Sequence, residues 1–403
     1  MVMEGLIWLI IGQHDRYWEA DDKLGDVSVA GRIHQHKDFW HNELEASGLV
    51  LGIIDEGYKL PFKKDCPPFS AKNNLSARQH RKFATEAILK LVKAGCAQEV
   101  SNIPYCCNPL TVADKDGKLR LVLDLRHVNL YLTIRKFRYE NLKTLQAIFK
   151  KGFYFATFDL KNGYHHVSIN PDFHKYLGFQ WEFEGKTRWF VFVVMPFGLA
   201  TAAYVFTKLV RPFVKKWREA GMRSIVYLDD GIFGSAQYSK TLEDCRTVRK
   251  DLTAAGWYIN EEKSNLLPHQ EGRWLGFTID TIRHMFWVPE DKIKKVLTRM
   301  EHTLWSKRTT PRNVAKIAGQ IISMEPAIGP LTSLMTRRMY KFVDNDGYWD
   351  EPKKLTSEAR QEMVFWSENI VAHNGYKIKP KHAITKVVYS DASNDGYGGV
   401  HCI

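Results

Sequence analysis

The stretch S-I-V-Y-L-D-D-G-I-F, Ser224 to Phe233, places two adjacent carboxylates, Asp229 and Asp230, between two apolar runs of β-forming residues. Charge inside such a run is costly unless something compensates it. Two readings account for it. Asp-Gly between alternating apolar residues is a strong hairpin signal, so the pair can be a turn. Alternatively, a divalent cation sits at that turn. A second stretch, T-F-D-L-K-N-G-Y-H-H-V-S-I from Thr157 to Ile169, puts Asp159 at the end of another apolar run, seventy positions before Asp229. In a βαβ-type arrangement the two strands can be neighbours and bring these ends together. Three unpaired carboxylates in a small volume repel, and one would have to take up a proton. Mg²⁺ instead takes oxygen ligands and keeps positions open for substrate phosphates. Two such ions about 3.5–4 Å apart can activate an attacking oxygen and stabilise a leaving one. The plainer alternative is a loop cap at Asp159 and a turn at Asp229–Asp230.

The charge balance narrows the partners. Lys and Arg number 58 against 45 acidic residues in 403, a net charge of +13. That surplus points to an anionic partner, nucleic acid first, with solubility alone as the other reading. A hydrophobic content of 44% with 13% aromatics argues against global disorder. The six cysteines form no C-x-x-C pair, and Cys106–Cys107 suits neither a zinc knuckle nor an ordinary disulfide. They read as reduced intracellular thiols, with cytoplasm and nucleus unresolved. His34, His36 and His41 read as a solvated cluster rather than a ligand set. The apolar opening Leu6–Ile11 is too short to span a bilayer and lacks the flanks of a signal peptide, so no membrane partner is expected.

Hydrophobic periodicity then orders the chain. Asn74 or Ser76 caps a helix to about Ala94. A hairpin follows (Pro109 to Ala113, turn at Asp116-Gly117, Leu119 to Leu125), then a helix from Glu140 to Lys150 and a strand from Phe153 to Leu160. Strands Tyr176 to Phe183 and Thr187 to Val194 flank Glu184-Gly185. Leu199 to Trp217 reads as a long helix, and Lys240 to Ala255 as another. A strand pair, Trp274 to Asp280 and His284 to Val288, precedes a helical block in which Thr310 caps a helix starting at Pro311. A strand resumes at Lys386.

In their order, these blocks resemble the reverse transcriptase family. The hairpin V-A-D-K-D-G-K-L-R-L-V-L-D-L-R-H-V-N resembles the family's fingers hairpin, and T-F-D-L-K-N-G-Y-H-H-V its first carboxylate strand. M-P-F-G-L-A-T-A-A-Y-V-F resembles the template-and-nucleotide loop, and Y-L-D-D the signature turn. G-W-Y-I-N-E-E-K-S and R-W-L-G-F follow in place. The M-P-F-G form, G-Y-K-L-P-F (Gly57 to Phe62) and T-A-A-Y-V-F-T-K are most similar to tyrosine-recombinase (DIRS-like) retrotransposons. The resemblance implies an α/β (α+β) right-hand polymerase with fingers, palm and thumb, a connection region and the first strands of an RNase H-like domain. The expected division is 1–70 lead-in of unknown role, 71–290 fingers and palm, 291–345 thumb-like helices, 346–385 connection and 386–403 truncated RNase H-like start.

The resemblance also implies roles. Asp159, Asp229 and Asp230 would be the metal-binding carboxylates, with the Leu160 carbonyl as a further ligand and two Mg²⁺ (or Mn²⁺) as cofactors. Tyr164 would be the steric gate against a 2′-hydroxyl; its other reading is a core aromatic. Lys115 and Arg120 would hold the triphosphate, their other reading being a solvated hairpin tip, while Asp124 and Arg126 can pair structurally. Phe197 and Gly198 would line the nucleotide site. Lys263 matches a lysine that protonates the leaving pyrophosphate, or is a surface lysine. Trp274, Leu275 and Gly276 would grip the primer end. Asp391 would be the first RNase H carboxylate, with the remaining acidic positions expected beyond Ile403 and RNase H activity therefore not expected. Ala203 and His166 depart from the common proline and glutamine. The implied activity is RNA-directed DNA polymerisation by a retrotransposon enzyme, on an RNA template with a DNA primer or RNA–DNA hybrid and deoxynucleoside triphosphates; oligomeric state is open. The competing readings are an RNA-templated RNA polymerase, disfavoured by the aromatic Tyr164, and a decayed or domesticated nucleic-acid-binding fragment.

Overall fold

A computed structural model describes residues 28–115, 117–344, 348–378, 387–392 and 397–402. The Leu6–Ile11 stretch and the Asp116 position of the first hairpin turn lie outside these residues. Among the described residues, no helix is long and apolar enough to cross a membrane. The chain divides into two units. The first takes the described residues up to Tyr139, with Thr157–Phe233 and Leu242–Leu266; the second takes Glu140–Ala156, Gly234–Thr241 and the described residues from Leu267 onward.

The first unit is organised around the helix Ala202–Glu219. Its apolar residues recur at helical spacing, so Val205, Phe206, Leu209, Phe213 and Trp217 are buried along one side. Leu199 to Thr201, expected inside this helix, instead lead into it. The lead-in segment contributes to the same core. Trp40, from the helix Lys37–Asn42, packs edge-on against Phe213 with ring centroids 5.3 Å apart, and its indole N–H donates to the Ala255 carbonyl at 3.0 Å. Each of the three histidines is engaged separately: His34 bonds the Ile54 carbonyl, His36 that of Ala254, and His41 the Asp55 carboxylate.

The strands, in chain order, are β1 Phe69–Ser70, β2 Ala97–Val100, β3 Cys106–Cys107, β4 Leu110–Lys115, β5 Lys118–Leu123, β6 Tyr154–Asp159, β7 Gly178–Phe183, β8 Lys186–Phe192, β9 Arg223–Tyr227, β10 Asp230–Ser235 and β11 Asn265–His269. One sheet has the order β1-β3-β7-β8-β2, another β11-β6-β10-β9, and β4 and β5 form a separate hairpin. The single helix expected from Asn74 to Ala94 is two, Leu75–Gln79 and Arg81–Lys93, parted at His80. The expected cap residues are engaged with β4 instead: the Asn74 amide donates to the Thr111 hydroxyl and Ser76 Oγ accepts from the Val112 N–H.

In the second unit, β12 Glu271–Trp274, β13 Phe277–Asp280, β14 Met285–Trp287 and β15 Tyr376–Lys377 form an antiparallel sheet in that order. Trp274 to Asp280 is therefore not one strand. It contains a two-residue turn, with Trp274 opposite Phe277 and positive φ at Leu275 (46°) and Gly276 (75°), the signature of a primed hairpin turn. The helices Glu290–Trp305, Pro311–Ser323, Arg337–Val343 and Ser357–Asn369 follow. Thr310 caps the second as expected, accepting from the Asn313 N–H at 3.2 Å. The buried Glu362 carboxylate accepts from the Arg338 and Met339 N–H groups at 3.0 and 2.9 Å, closing the N-terminus of Arg337–Val343. Farther on, β16 Val387–Ala392 pairs antiparallel with β17 Tyr397–Cys402.

Candidate active site

The site starts from a backbone junction. β6 ends at Asp159, and the next N–H, of Leu160, donates to the Asp229 carbonyl at 2.9 Å. The two carboxylate stretches therefore meet at the main chain. The route differs from the one expected: β6 is next to β10, not β9, so the strand that Asp230 opens separates the strands leading to Asp159 and Asp229. The turn also lies elsewhere. Leu228 and Asp229 form it, and Asp230 and Gly231 already belong to β10. Gly231 serves close approach rather than turning, since a Cβ there would overlap the Phe158 ring of β6. The positive φ falls on Leu228, at 53°, which costs a residue with a Cβ about 1 kcal/mol or more.

Asp159 and Asp230 are buried, at 4% and 6% exposure, and Asp229 is half-buried. Asp159 is held from two sides. The Asn260 amide donates to its Oδ1 at 3.1 Å, and its own N–H donates to Ser264 Oγ at 3.0 Å. Asn260 also donates its N–H to the Asp159 carbonyl at 2.8 Å, and the Lys161 N–H reaches the Tyr258 carbonyl. Leu160 is thus clamped between two backbone bonds opposite Ile259. Burial holds the Tyr227 phenol above its usual pKa, with the Asp229 and Asp230 charges adding to the shift. Both carboxylates therefore act on one neighbouring ring, which packs against Tyr139 in a tilted pair with centroids 4.8 Å apart. An all-oxygen donor set of two buried carboxylates and a half-buried one, with a main-chain amide to neighbour, fits a hard divalent cation.

Gly163 and Tyr164 follow in a short 3-10 turn. Gly163 lies against Phe206, and a Cβ built on it would be 3.7 Å from Asp229 Cβ. Tyr164 is buried at 8%, its ring 5.2 Å from Phe197 and 5.4 Å from Phe206. The Phe197–Gly198 loop is set by the β4–β5 hairpin. Gly198 has φ 96°, and a Cβ there would stand 2.5 Å from the Leu123 carbonyl at the end of β5, so only glycine fits. Asn129 secures the loop from the other side, donating to the Gly198 carbonyl and accepting from the Ala200 N–H, both at 2.9 Å.

Other expected residues take simpler places. Lys115 pairs with Lys118 at the end of the β4–β5 hairpin, and Arg120, half-buried, stands opposite Ala113. Asp124 and Arg126 form the structural pair anticipated as the alternative: the guanidinium at 2.7 Å helps hold the Asp124 carboxyl below its usual pKa, against the opposing effect of burial. Lys263 is exposed in the turn after Asn260. In the second unit, Trp274 is buried, with Leu275 and Gly276 half-buried at the β12–β13 turn. Asp391 lies in β16 opposite Gly398. His166, a departure from the common glutamine, is buried and accepts from the Tyr258 N–H at 3.1 Å through Nε2.

Sequence reasoning passed over Asn260, Ser264 and Asn129. All three lie within or beside quoted blocks (I-N-E-E-K-S and R-H-V-N), but spacing alone does not say that their side chains turn toward Asp159 or toward the Gly198 loop.

Residues 112–279 match the family described as reverse transcriptase (RNA-dependent DNA polymerase). The chain is 25% identical over 321 residues to the putative enzymatic polyprotein of Cassava vein mosaic virus, covering 77% of this chain and 46% of that one. It is 25% identical over 352 residues to the transposon Tf2-3 polyprotein of Schizosaccharomyces pombe, covering 86% of this chain and 24% of that one. The chain thus spans less than half the length of these curated relatives. Among solved structures, a foamy viral protease-reverse transcriptase in complex with dsDNA superposes with a TM-score of 0.64 at 22% identity, covering 94% of this chain and 78% of that one. The foamy viral protein in complex with an RNA/DNA hybrid gives a TM-score of 0.64 at 19% identity, with 96% and 54% covered. The mixed α/β fold is that of these structures.

Proposed function

We propose that this chain, which carries a reverse transcriptase domain across residues 112–279, is an RNA-directed DNA polymerase of a retrotransposon. It would add deoxynucleotides to a primer 3′-hydroxyl. The observation that carries the reading is the Leu160–Asp229 main-chain bond, which joins the two carboxylate stretches. Reverse transcriptases generally use divalent metal ions. Here Asp159, Asp229, Asp230 and the Leu160 carbonyl would hold two Mg²⁺, with Mn²⁺ as a substitute. When bound, such ions lower the pKa of a primer hydroxyl and neutralise charge on a triphosphate.

The chain's own residues supply the rest. Asn260 fixes the Asp159 carboxylate, so its oxygens need not reorganise on nucleotide entry. Arg120 and Lys115 grip the triphosphate, the guanidinium in bidentate fashion and the lysine as a point charge. Tyr164, propped by Phe197 and Phe206, blocks a 2′-hydroxyl, and Gly198 lets the backbone approach the nucleotide. Lys263 donates a proton to the departing pyrophosphate, and Trp274, Leu275 and Gly276 hold the primer end. Asp391 marks the start of an RNase H-like domain, and the lead-in, fingers-palm, thumb-like and connection segments divide at 70, 290, 345 and 385. The net charge of +13 tracks a template–primer backbone, so binding falls steeply with salt. The M-P-F-G and G-Y-K-L-P-F forms support a DIRS-like element as the source; Tyr58 of the latter donates its N–H to the Ser168 carbonyl.

Primer extension on an RNA template tests the activity. Extension with deoxynucleotides in Mg²⁺ is expected. Template–primer binding with no extension in either Mg²⁺ or Mn²⁺ would replace the polymerase with a binding module, and preference for ribonucleotides would make it an RNA polymerase.

A further inference from the structure

A second gathering of ligand-type groups lies in the first unit, formed by Cys66, Cys106 and His127, whose ligand atoms all fall within 4.8 Å of one another. Cys66 comes from the loop before β1, Cys106 from β3, and His127 from the short helix Arg126–Asn129. The two sulfurs are 3.8 Å apart. A disulfide needs about 2.05 Å, so these are two separate thiols. A tetrahedral site with Zn–S bonds of about 2.3 Å has an S···S edge of about 3.8 Å. The observed spacing already matches it.

The surroundings favour a cation over chance packing. Cys66 and Cys106 are buried at 4% and 0%, and half-buried His127 leaves a path from solvent. The three groups crowd one acceptor: the Pro67 carbonyl is 3.7 Å from each sulfur and 3.4 Å from His127 Nε2. Two thiols and an imidazole around one carbonyl make long, weak contacts. As ligands, the same groups would be satisfied. The frame that holds them is stiff. Phe69 is in register with Cys106 across β1 and β3, and its ring stacks on His127 at 4.1 Å and 7°. Sulfur and imidazole donors select a soft or borderline cation and disfavour Mg²⁺.

We propose that Cys66, Cys106 and His127 form a zinc site, with water or the Pro67 carbonyl as fourth ligand. Zinc there ties the loop before β1 to the helix that also carries Asn129, two residues beyond His127, whose side chain holds the Gly198 loop. The site stands on different residues from the proposed polymerase centre, so either can fail alone.

Cobalt(II) substitution in the 403-residue chain tests it. The metal-free chain should take up one equivalent of Co²⁺ with a thiolate charge-transfer band and the visible bands of tetrahedral coordination, and Zn²⁺ should bleach both. Cys66→Ser should abolish the charge-transfer band or sharply reduce it, and His127→Gln should weaken Co²⁺ binding by at least about tenfold. Cys245→Ser, distant in sequence and buried elsewhere, should keep the full spectrum. Circular dichroism checks that each variant is folded. Absence of the bands in the unsubstituted chain, or their survival in folded Cys66→Ser, overturns the proposal.

Discussion

The carboxylate junction and the sulfur–imidazole cluster lie in the same unit and are built by opposite means. Asp159 ends β6, Asp229 sits in the turn before β10 and Asp230 opens β10, and the adjacency of β6 and β10 joins their main chains. Cys66, Cys106 and His127 come from a loop, a two-residue strand and a four-residue helix, and they converge only because β1 runs alongside β3 and Phe69 props the histidine. Strand pairing is a local rule that leaves a pattern in the chain. Convergence of loops leaves none. The donor types differ as well: carboxylate oxygens suit a hard cation, whereas sulfur and imidazole suit a borderline one.

The widest separation between the two regions should appear in catalysis. Asp159→Asn should cut primer extension on the order of 10³-fold, the several kcal/mol that metal-borne charge stabilisation is worth, with duplex affinity nearly unchanged. Activity within tenfold of the unsubstituted chain would remove Asp159 from the centre. Next, Asn260→Ala should lower the extension rate by about 10–100-fold, the cost of releasing a ligand from its orienting partner. A raised apparent requirement for Mg²⁺ would accompany it if orientation is the role. An unaltered metal dependence would reduce Asn260 to a packing residue.

The adjacent aspartates and the single aspartate seventy positions earlier were legible because apolar runs flank them, and the Gly198 loop only through the resemblance carried by M-P-F-G. The position of the turn was not, because Gly231 is demanded by the Phe158 ring, a contact that spacing does not encode. Asn260 was invisible for the same reason: it reaches Asp159 across 101 positions. The Trp274–Asp280 run read as one strand because its apolar pattern continues through Leu275, whose positive φ only the folded hairpin reveals. Cys106–Cys107 was judged by its neighbour, while its partner in space is Cys66, forty positions away.

A smaller effect concerns sugar choice. Tyr164→Ala should raise ribonucleotide incorporation by about tenfold, the cost of one steric contact of roughly 1.4 kcal/mol. Unchanged selectivity would leave Tyr164 as the core aromatic that its burial also describes. A separate effect is on stability. Burial pushes the His165 pKa down to about 4 and the His166 pKa down to about 3. Both stay neutral in the folded chain while the unfolded chain protonates near 6.5, so stability is full above that pH and falls as pH drops toward the folded values. At pH 5 the loss is about 2 kcal/mol for each, seen as a lower melting temperature. His166→Gln should flatten that fall, and an equal pH dependence in the variant would show that other groups set it.

On this reading the turn carboxylate Asp229 does chemistry rather than shaping a hairpin. Single-turnover extension by Asp229→Asn and Asp230→Asn, measured beside template–primer affinity, tests it most directly. Both variants should bind duplex nearly as the unsubstituted chain does, with extension abolished in Asp229→Asn and reduced less in Asp230→Asn. Extension retained in Asp229→Asn, with the duplex still bound, would contradict the account.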